Sequence, residues 1–381
     1  LVVGPRQSGK STLLWKTVAD EGAPCLLVNC EEPAIREWVR SPAIFAAGLE
    51  QLVPAGTLVL FEEVQHLQDA GLFLKGLVDR KKDFRLAATG SASFELDAET
   101  RESLAGRANR HLVLPFSFAE LFARDVSPLA LKQKNSARLV RELAVHGGYP
   151  GVHAGESKPA VLTGLVESFV IRDASDRFRI RRIDAFRKLL ELMASQVGNL
   201  CNFSDWAAGT GASADTVREH AAILEDAHVI RLVRPFVGGK RAEITSTPKV
   251  YFVDNGIRNR LFGGFAPLES RPDRGALLES YVFTELLKNL HPLLDAVRFW
   301  RSKSGAEVDF VVEREGGLFG IEVKAGNARG KITRSAHSFI DAYRPERFFV
   351  VNDREHATFD KNETRVRFVT PEDLTPLFEM R

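Results

Sequence analysis

The chain of 381 residues carries 52 lysines and arginines against 50 aspartates and glutamates, so its formal net charge at pH 7 is +2. With 44% hydrophobic and 27% charged residues it has an ordinary globular composition, and at this length we expect two to four compact units. The near-neutral charge balance neither requires nor excludes a nucleic-acid partner, so local charge must decide that question.

The cysteine content and the lengths of the apolar runs indicate in which compartment the protein is expected. The three cysteines, Cys25, Cys30 and Cys201, follow no recognisable spacing, which argues against a disulfide framework or a zinc site. No apolar run is long enough to span a bilayer, and no charged-then-apolar leader is present. We therefore expect a reducing cytoplasm and no membrane partner. The chain opens without methionine and almost directly on a glycine loop, so we also expect residues upstream.

The first motif is a phosphate-binding loop. Residues 4–11 read GPRQSGKS, fill the pattern G-x-x-x-x-G-K-[ST], follow an apolar strand and lead into the helical stretch STLLWKTVAD. The glycines let backbone N–H groups close around phosphate oxygens, and the helix N-terminus adds a favourable dipole. Lys10 would reach the β and γ phosphates, and the Ser11 hydroxyl would hold magnesium. The predicted nucleotide-binding residues are Gly4, Pro5, Arg6, Gln7, Ser8, Gly9, Lys10, Ser11, Thr12 and Thr89.

A second acidic strand end accompanies the loop. The stretch LVLFEE ends in Glu62, the predicted metal-side acid, and Glu63, the predicted base that orients water. An aspartate is usual at the first position, and the extra methylene of Glu62 moves its carboxylate outward, which affects magnesium placement and hydrolysis more than nucleotide binding. The alternative is a solvated pair of acids at a strand end.

A third strand end, and an arginine that precedes the next strand, complete the predicted nucleotide module. After FRLAAT, Thr89 or Ser91 would sense the γ-phosphate, although such residues also form plain turns. Arg107 would stabilise phosphate charge within the subunit or across an oligomer interface, with a surface arginine as the alternative. The recurrence of a strand after each helical stretch across residues 1–116 predicts a mostly parallel sheet with helices on its faces.

The middle of the chain predicts helices and then a winged helix-turn-helix. Residues 117–183 read as helical and end in the arginine-rich run 172–182, which would contact phosphates, form a solvated helix face or meet another subunit. Ser204 and Ser213 are the expected N-caps of the following two helices. A wing would turn at Gly238-Gly239.

The charge of this winged region does not favour base-specific binding of DNA. Its second helix carries four acids and one arginine, the wrong sign for approaching phosphates: Asp215, Glu219, Glu225, Asp226 and Arg218. Only Lys240 and Arg241 in the wing are basic. Packing or oligomerisation is the alternative role.

The C-terminal stretch from Phe299 to Gly326 predicts a hairpin with clustered charges. Apolar and polar residues alternate, so Asp309 and the pair Glu322 and Lys324 fall opposite the apolar faces of their strands. A turn around Glu315 and Gly316 allows two registers. A turn centred between these residues sets Asp309 across from Glu322, and a shift of one residue sets Asp309 across from Lys324.

These charges are the parts of a magnesium-dependent phosphodiesterase site. Glu279, on the helix before the hairpin, is expected to face inward. Glu279, Asp309 and Glu322 are the predicted metal ligands, and Asp309, Glu322 and Lys324 the predicted catalytic residues, with the lysine acting on water and steadying phosphorane charge. A charged edge on an ordinary sheet is the alternative.

Taken together, the motifs resemble a known family over nearly the whole chain. The stretches GPRQSGKSTLL, LVLFEEVQHL, ATGSAS, SLAGRA, LPFSFAEL, GGYP, GALLESYVFTELLK and WRSKSGAEVDFVV…IEVK resemble predicted AAA-superfamily P-loop ATPases of bacteria and archaea with a C-terminal domain of unknown function. The resemblance implies ATP and Mg²⁺ as cofactors and an end domain similar to PD-(D/E)XK nucleases. The implied α/β architecture is an AAA/RecA-like parallel sheet at 1–116, a helical connector at 117–183, a winged helix at 184–262 and a restriction-endonuclease-like domain at 263–381.

Two functions are compatible with these patterns. The first is an ATP-driven enzyme acting on DNA or RNA, in which nucleotide state positions the winged and nuclease-like modules. The second is a nucleotide-dependent switch that binds a protein partner or assembles into a homo-oligomer through a catalytically inactive nuclease-like domain.

Overall fold

The computed structural model divides the chain into two compact units. Leu1–Pro115 with Ala222–Val229 form the first, and Phe116–Ala221 with Ile230–Arg381 form the second. The structure describes residues 1–22, 24–80, 83–90, 104, 106–155, 157–167, 180, 182–238, 247–292, 294–314 and 317–378. Several residues of interest lie outside the described ranges: Ser91, the arginine-rich run except for Ile180 and Arg182, Gly239, Lys240, Arg241, Glu315 and Gly316.

The first unit is built on parallel strands. Its strands are β1 (Val2–Val3), β2 (Cys25–Asn29), β3 (Leu58–Glu62), β4 (Arg85–Ala88) and β5 (His111–Leu112). Its helices are α1 (Lys10–Glu21), α2 (Pro33–Trp38), α3 (Pro42–Leu52) and α4 (Ala70–Val78). Within the described residues β2, β3 and β4 pair in parallel, as do β1 and β5, and a parallel bridge between Val2 and Thr89 joins the two groups. The predicted parallel sheet is confirmed, in the order β2-β3-β4-β1-β5.

An aromatic cluster anchors β3 in the core of this unit. The rings of Phe45 in α3, Phe61 in β3 and Phe73 in α4 lie with centroids 5.5–5.7 Å apart and are almost fully buried. Tilted and edge-on rings at this spacing pack favourably. The end of β3, where Glu62 and Glu63 follow Phe61, is therefore held in place by the core.

The second unit combines helices with a mixed sheet. Its helices are α5 (Phe118–Phe122), α6 (Leu129–His146), α7 (Pro150–Ala154), α8 (Lys158–Leu165), α9 (Ile183–Ser195), α10 (Phe203–Thr210), the start of α11 (Ala214–Asp226), α12 (Asn255–Leu261), α13 (Arg274–Asn289), α14 (Arg334–Tyr343) and α15 (Thr375–Phe378). Its strands are β6 (Ile230–Val233), β7 (Lys249–Phe252), β8 (Ala296–Arg301), β9 (Glu307–Arg314), β10 (Gly317–Lys324), β11 (Arg347–Asn352), β12 (Ala357–Lys361) and β13 (Thr364–Val369).

Six of these strands, as far as the structure describes them, form one sheet in the order β12-β13-β11-β10-β9-β8. The pairs β10–β11 and β11–β13 are parallel and the other pairs antiparallel. Phe283 of α13 stacks on Phe310 with centroids 6.0 Å apart, and Phe339 of α14 packs on Phe348 at 6.3 Å. These contacts belong to two separate buried clusters, so the sheet lies between α13 and α14.

The hairpin β9–β10 adopts the first of the two predicted registers. Phe319 pairs with Val312 and Ile321 with Phe310. The next pair along the hairpin is therefore Asp309 and Glu322. This register places the two acids side by side.

The chain after β6 connects the β6–β7 hairpin to the sheet. Phe236 donates its backbone N–H to the carbonyl of Phe299 at 2.6 Å, and its ring packs on Tyr343 with centroids 5.3 Å apart. All four residues of β7 are buried.

Of the two N-caps predicted in the middle of the chain, one is confirmed and the other is wrong. Ser213 accepts a hydrogen bond from the backbone N–H of Thr216 at 3.1 Å, as a cap of α11 should. The expected cap at Ser204 is wrong, because α10 begins at Phe203 and Asn202 caps it, accepting from the N–H of Asp205 at 3.2 Å. Asn and Ser are both strong N-caps, so propensity alone did not separate them.

The buried carboxylate of Asp254 joins three parts of the second unit. It caps α12 by accepting from the N–H groups of Gly256 at 2.8 Å and Ile257 at 3.3 Å, and it also accepts from Gly148 at 2.7 Å. Gly147 lies so close that a Cβ there would come within 2.0 Å of the carboxylate. The glycine pair of HGGYPG thus allows the backbone to approach Asp254, which follows β7.

Replacing Asp254 by alanine should cost more stability than replacing an exposed cap. Asp254→Ala leaves a buried N–H of Gly148 without its acceptor in addition to removing the cap, so we expect a loss of about 3 kcal/mol in the free energy of unfolding. Asn202→Ala removes only an exposed cap and should cost about 1 kcal/mol. Urea unfolding of the full chain, followed by circular dichroism, measures both; equal losses would contradict the role given to Asp254.

Candidate functional site

The phosphate loop lies between β1 and α1 and leaves a helix N-terminus open. Gly4 and Gly9 have φ of 143° and 96°, and a Cβ on Gly4 would lie 2.1 Å from the carbonyl oxygen of Val113. Helix α1 begins at Lys10, Gly9 offers no capping side chain, and the first turn carries no acid. Its backbone N–H groups are therefore available to an anion.

Lys10 and Ser8 line this loop from the inside. The Lys10 side chain is 5% exposed, and its Nζ donates to the carbonyl oxygens of Gly4 at 3.2 Å and Pro5 at 2.8 Å. Burial lowers the pKa of Lys10 to about 8, with Glu63 opposing that shift and Arg6 adding to it. The buried Ser8 Oγ has no hydrogen-bond partner among the described residues. The ammonium and the hydroxyl both lack an anionic acceptor, so the loop fits a polyphosphate.

The other predicted loop residues surround this centre. Ser11 and Arg6 are half-buried, Thr12 and Gln7 are exposed, and Pro5 is buried. Gln7 has a φ of 57°, in the left-handed region. Ser11 lies in the first turn of α1, and its magnesium role stays a prediction.

The acids at the end of β3 lie at the same edge of the sheet. Both Glu62 and Glu63 are half-buried, and Glu63 is held with a left-handed φ of 53°. Its backbone N–H donates to the Oγ1 of Thr89 at 3.2 Å, and Gln65 donates to its carboxylate. Thr89, which is completely buried, therefore orients Glu63. Its predicted γ-phosphate role stays a prediction.

Two residues that the sequence analysis missed lie beside Glu63. His66 Nε2 is 3.4 Å from Glu31 Oε1, and the ligand atoms of Glu31, Glu63 and His66 lie within 4.8 Å of one another. In the part of the chain that the structure describes, this is the one trio of histidine, cysteine or acid with such spacing. Glu31 and His66 follow the ends of β2 and β3, and neighbouring parallel strands bring such ends together. The expected closeness of these two strand ends was the sequence signal that could have predicted the trio.

Arg107 does not join this group within the chain. Its Nε donates to Asp79 Oδ1 at 2.6 Å, at the end of α4, and it lines a cavity of about 220 Å³ with Phe84 and Leu86. Phe84 immediately precedes β4 and Leu86 lies near its start, at the end of the strand opposite Thr89. A role for Arg107 across an oligomer interface stays a prediction.

In the second unit, the hairpin acids are already bonded to protein groups. Asp309 Oδ2 accepts the backbone N–H of Val323 at 2.7 Å. Glu322 is 4% exposed; its Oε1 lies 2.8 Å from Lys324 Nζ, and its Oε2 accepts the hydroxyl of Thr333 at 3.1 Å. The Lys324 side chain is 42% exposed and reaches solvent beside the site.

A lysine that the sequence analysis did not consider lies among the remaining acids. Lys249 Nζ is 2.5 Å from Glu307 Oε1 and 3.6 Å from Glu279 Oε1. Tyr251 donates its hydroxyl to the same Oε1 of Glu279. We call Lys249, Glu279, Glu307 and Asp309 the lysine–carboxylate cluster. The sequence signal that could have indicated this cluster is Lys249 itself, the first residue of the otherwise apolar strand KVYF.

The charges of this cluster shift one another. Burial raises the pKa of Asp309 to about 8, and Glu279 raises it further while Lys249 opposes the shift. Burial alone lowers the pKa of Lys249, but the surrounding carboxylates, Glu279 first, outweigh that effect and the pKa lies above its usual value. Lys249 is therefore charged at neutral pH, and it carries the positive charge at the centre of the cluster.

The arrangement does not fit the metal set predicted from the sequence. Within the described ranges the ligand oxygens of Glu279, Asp309 and Glu322 do not all lie within 4.8 Å of one another. An ammonium stands between two of the cluster's carboxylates, and both oxygens of Glu322 are engaged. These donors suit a buried ammonium better than a divalent cation.

Comparison with known proteins supports an AAA-type P-loop ATPase. Residues 1–122 match the model of an AAA domain, residues 137–268 a domain of unknown function (DUF8612), and residues 274–371 another domain of unknown function (DUF4143).

Similar proteins come from bacteria and an archaeon. An uncharacterized protein of Mycobacterium tuberculosis is 29% identical over 381 residues, covering 98% of this chain and 80% of its own length. An uncharacterized protein of Haemophilus influenzae is 24% identical, covering 85% of this chain and 81% of its own length. One of Methanocaldococcus jannaschii is 24% identical, covering 67% and 58% respectively. The AAA match implies ATP binding with the magnesium dependence typical of such domains.

No helix in the described part of the chain has the length and apolar character needed to cross a bilayer.

Nucleotide affinity should fall as the pH rises through the pKa of Lys10. That pKa is about 8 in the nucleotide-free protein, so Lys10 is charged at pH 7 and mostly neutral at pH 9. A triphosphate attracts only the charged form, and the association constant for ATP should fall about tenfold between pH 7 and pH 9. Calorimetric titration at both pH values measures the change.

The control for this prediction is Lys10→Arg. A guanidinium stays charged over the whole range, so its profile should be flat even where binding is weaker. A wild-type profile as flat as that of Lys10→Arg would contradict the assignment of the pH effect to Lys10.

Proposed function

We propose that the chain is a magnesium-dependent ATPase in which the nucleotide state of the first unit controls a nuclease-like module that acts on nucleic acid. The observation that carries the ATPase proposal is the buried Lys10, whose ammonium donates to backbone carbonyls beside an open helix N-terminus. The ammonium is hydrogen-bonded to neutral carbonyls rather than to a carboxylate, and a triphosphate would supply a directly bonded anion.

The chemistry would run on four side chains of the first unit. Lys10 would neutralise β and γ phosphate charge, and Ser11 and Glu62 would hold Mg²⁺, which when bound neutralises charge on the phosphates. Glu63 would orient the attacking water. Its backbone bond to Thr89 and the bond from Gln65 would fix the direction of its carboxylate, so water would meet a positioned base.

Support for nucleic acid as the partner comes from a basic rim beside Glu322. We define the basic rim by four exposed cations: Lys303 in the loop before β9, Arg329 and Lys331 in the loop before α14, and Arg334 at the first position of α14. The loops are neighbours, because Glu307 donates its backbone N–H to Ser335 Oγ at 3.2 Å and Thr333 bonds to Glu322. Together with the half-exposed Lys324, they offer a positive surface that suits a phosphate backbone.

A second candidate function is a nucleotide-dependent assembly switch that binds a protein partner. It is favoured by α11, where Asp215 is 96% exposed and lies 3.0 Å from Arg218, the helix's arginine. That surface repels phosphates. Association with a protein that persists at high salt, together with no affinity for nucleic acid, would favour this candidate.

ATP turnover should depend on Lys10 and Glu63 in different ways. Lys10→Ala should remove both ATP binding and turnover, because the phosphates lose their cation. Glu63→Gln should retain binding and lower the turnover rate by about a hundredfold or more, because the amide cannot act as a base. Calorimetry and phosphate release separate the two effects. Wild-type turnover in Glu63→Gln would contradict its role.

Binding of single-stranded nucleic acid should depend on the basic rim. The double variant Lys331→Ala, Arg334→Ala should weaken binding about tenfold and reduce the slope of affinity against salt concentration, because phosphate contacts are lost. A matched double variant elsewhere on the surface, Lys134→Ala with Lys188→Ala, makes the same change in net charge and should leave affinity close to wild type. Fluorescence anisotropy at several salt concentrations measures both, and equal effects would argue against the rim.

A further inference from the structure

The lysine–carboxylate cluster is a closed ionic arrangement. The Lys249 side chain is 3% exposed, touches Glu307 and Glu279, and lies over the ring of Phe299 with Nζ 5.4 Å from its centroid. A buried ammonium is stable only where carboxylates and other polar groups replace its lost water. Here two carboxylates and an aromatic face do so.

Each carboxyl group of the cluster also accepts a hydrogen bond from another group of the protein. Tyr251 donates to Glu279, and Arg301 donates to Glu307 Oε2 at 3.1 Å. Asp309 accepts the N–H of Val323. The protein itself therefore meets much of the hydrogen-bonding capacity of these acids.

Lys249 is also held in place by its backbone. It pairs with Val233 across the β6–β7 hairpin and makes an antiparallel bridge with Leu200 on its other side. Withdrawing the ammonium to solvent would require this doubly paired strand to move. A divalent ion among Glu279, Glu307 and Asp309 would meet the Lys249 charge at close range, and like charges in a buried site repel strongly.

We infer that Lys249 is the resident cation of the Glu279 and Glu307 carboxylates, and that the cluster of Glu279, Glu307 and Asp309 takes no divalent metal in the native protein. The ammonium that occupies the site comes from β7, whereas the acids come from helix α13 and strand β9. Resting on the proposed function, a corollary is that the nuclease-like module binds nucleic acid without magnesium-dependent cleavage at this cluster.

Binding of Mn²⁺ to the full chain tests the inference without nucleotide or nucleic acid. Electron paramagnetic resonance counts bound Mn²⁺ in wild type and in Glu279→Gln. The inference expects the same number of sites in both proteins. One site fewer in Glu279→Gln would overturn it, because Glu279 would then be ligating metal in the native chain.

The second arm replaces the lysine by a neutral residue of similar length. In Lys249→Met, the three acids lose the neighbouring cation, and we expect one Mn²⁺ site that wild type lacks. Adding Glu279→Gln to Lys249→Met should remove that site. No added site in a folded Lys249→Met protein would overturn the inference.

A matched control is Lys288→Met. Lys288 is also buried, 5% exposed, but it lies 3.7 Å from the single carboxylate of Glu285, so its removal should create no Mn²⁺ site. Should Lys249→Met fail to fold, the comparison of wild type with Glu279→Gln decides alone. Failure of the proposed function would appear separately, as absence of nucleic-acid binding, and would leave the metal count unchanged.

Discussion

Parallel pairing of the strands in the first unit places the nucleotide chemistry. Because β1, β2 and β3 run in the same direction, the segments that follow them meet at one edge of the sheet. The phosphate loop, Glu31 and the pair Glu62 and Glu63 come from distant parts of the chain, yet all lie there. The buried ring of Phe61 and the bond between Glu63 and Thr89 keep that edge in a defined geometry.

Two buried lysines in this protein have opposite electrostatic environments. Lys10 donates to two backbone carbonyls, and burial lowers its pKa to about 8. Lys249 lies against carboxylates, and its pKa is raised despite burial. Lys10 makes its hydrogen bonds to neutral carbonyls, whereas Lys249 forms ion pairs with Glu279 and Glu307. The same residue type therefore marks a binding site in one unit and a closed ionic cluster in the other.

The C-terminal acids show why residue type and spacing do not define a metal site. The hairpin register sets Asp309 beside Glu322, as one of the two predicted registers required. What the acids contact depends on their other neighbours. Thr333 and Lys324 engage Glu322, and Lys249 engages Glu279. A nuclease-like pattern is compatible with such a site, but metal chemistry needs free oxygens that converge.

The sequence by itself determined the phosphate loop, the acidic end of β3 and the parallel sheet, because each depends on a local pattern: a glycine motif between strand and helix, or an apolar strand ending in acids. It also restricted the hairpin to two registers, since both stack apolar residues on apolar residues. Only the tertiary structure decided between those registers. Tertiary packing also brought Glu31 and His66 to Glu63 and placed Lys249 between Glu279 and Glu307. These contacts join segments far apart in the chain, and no local periodicity records which side chains packing brings together.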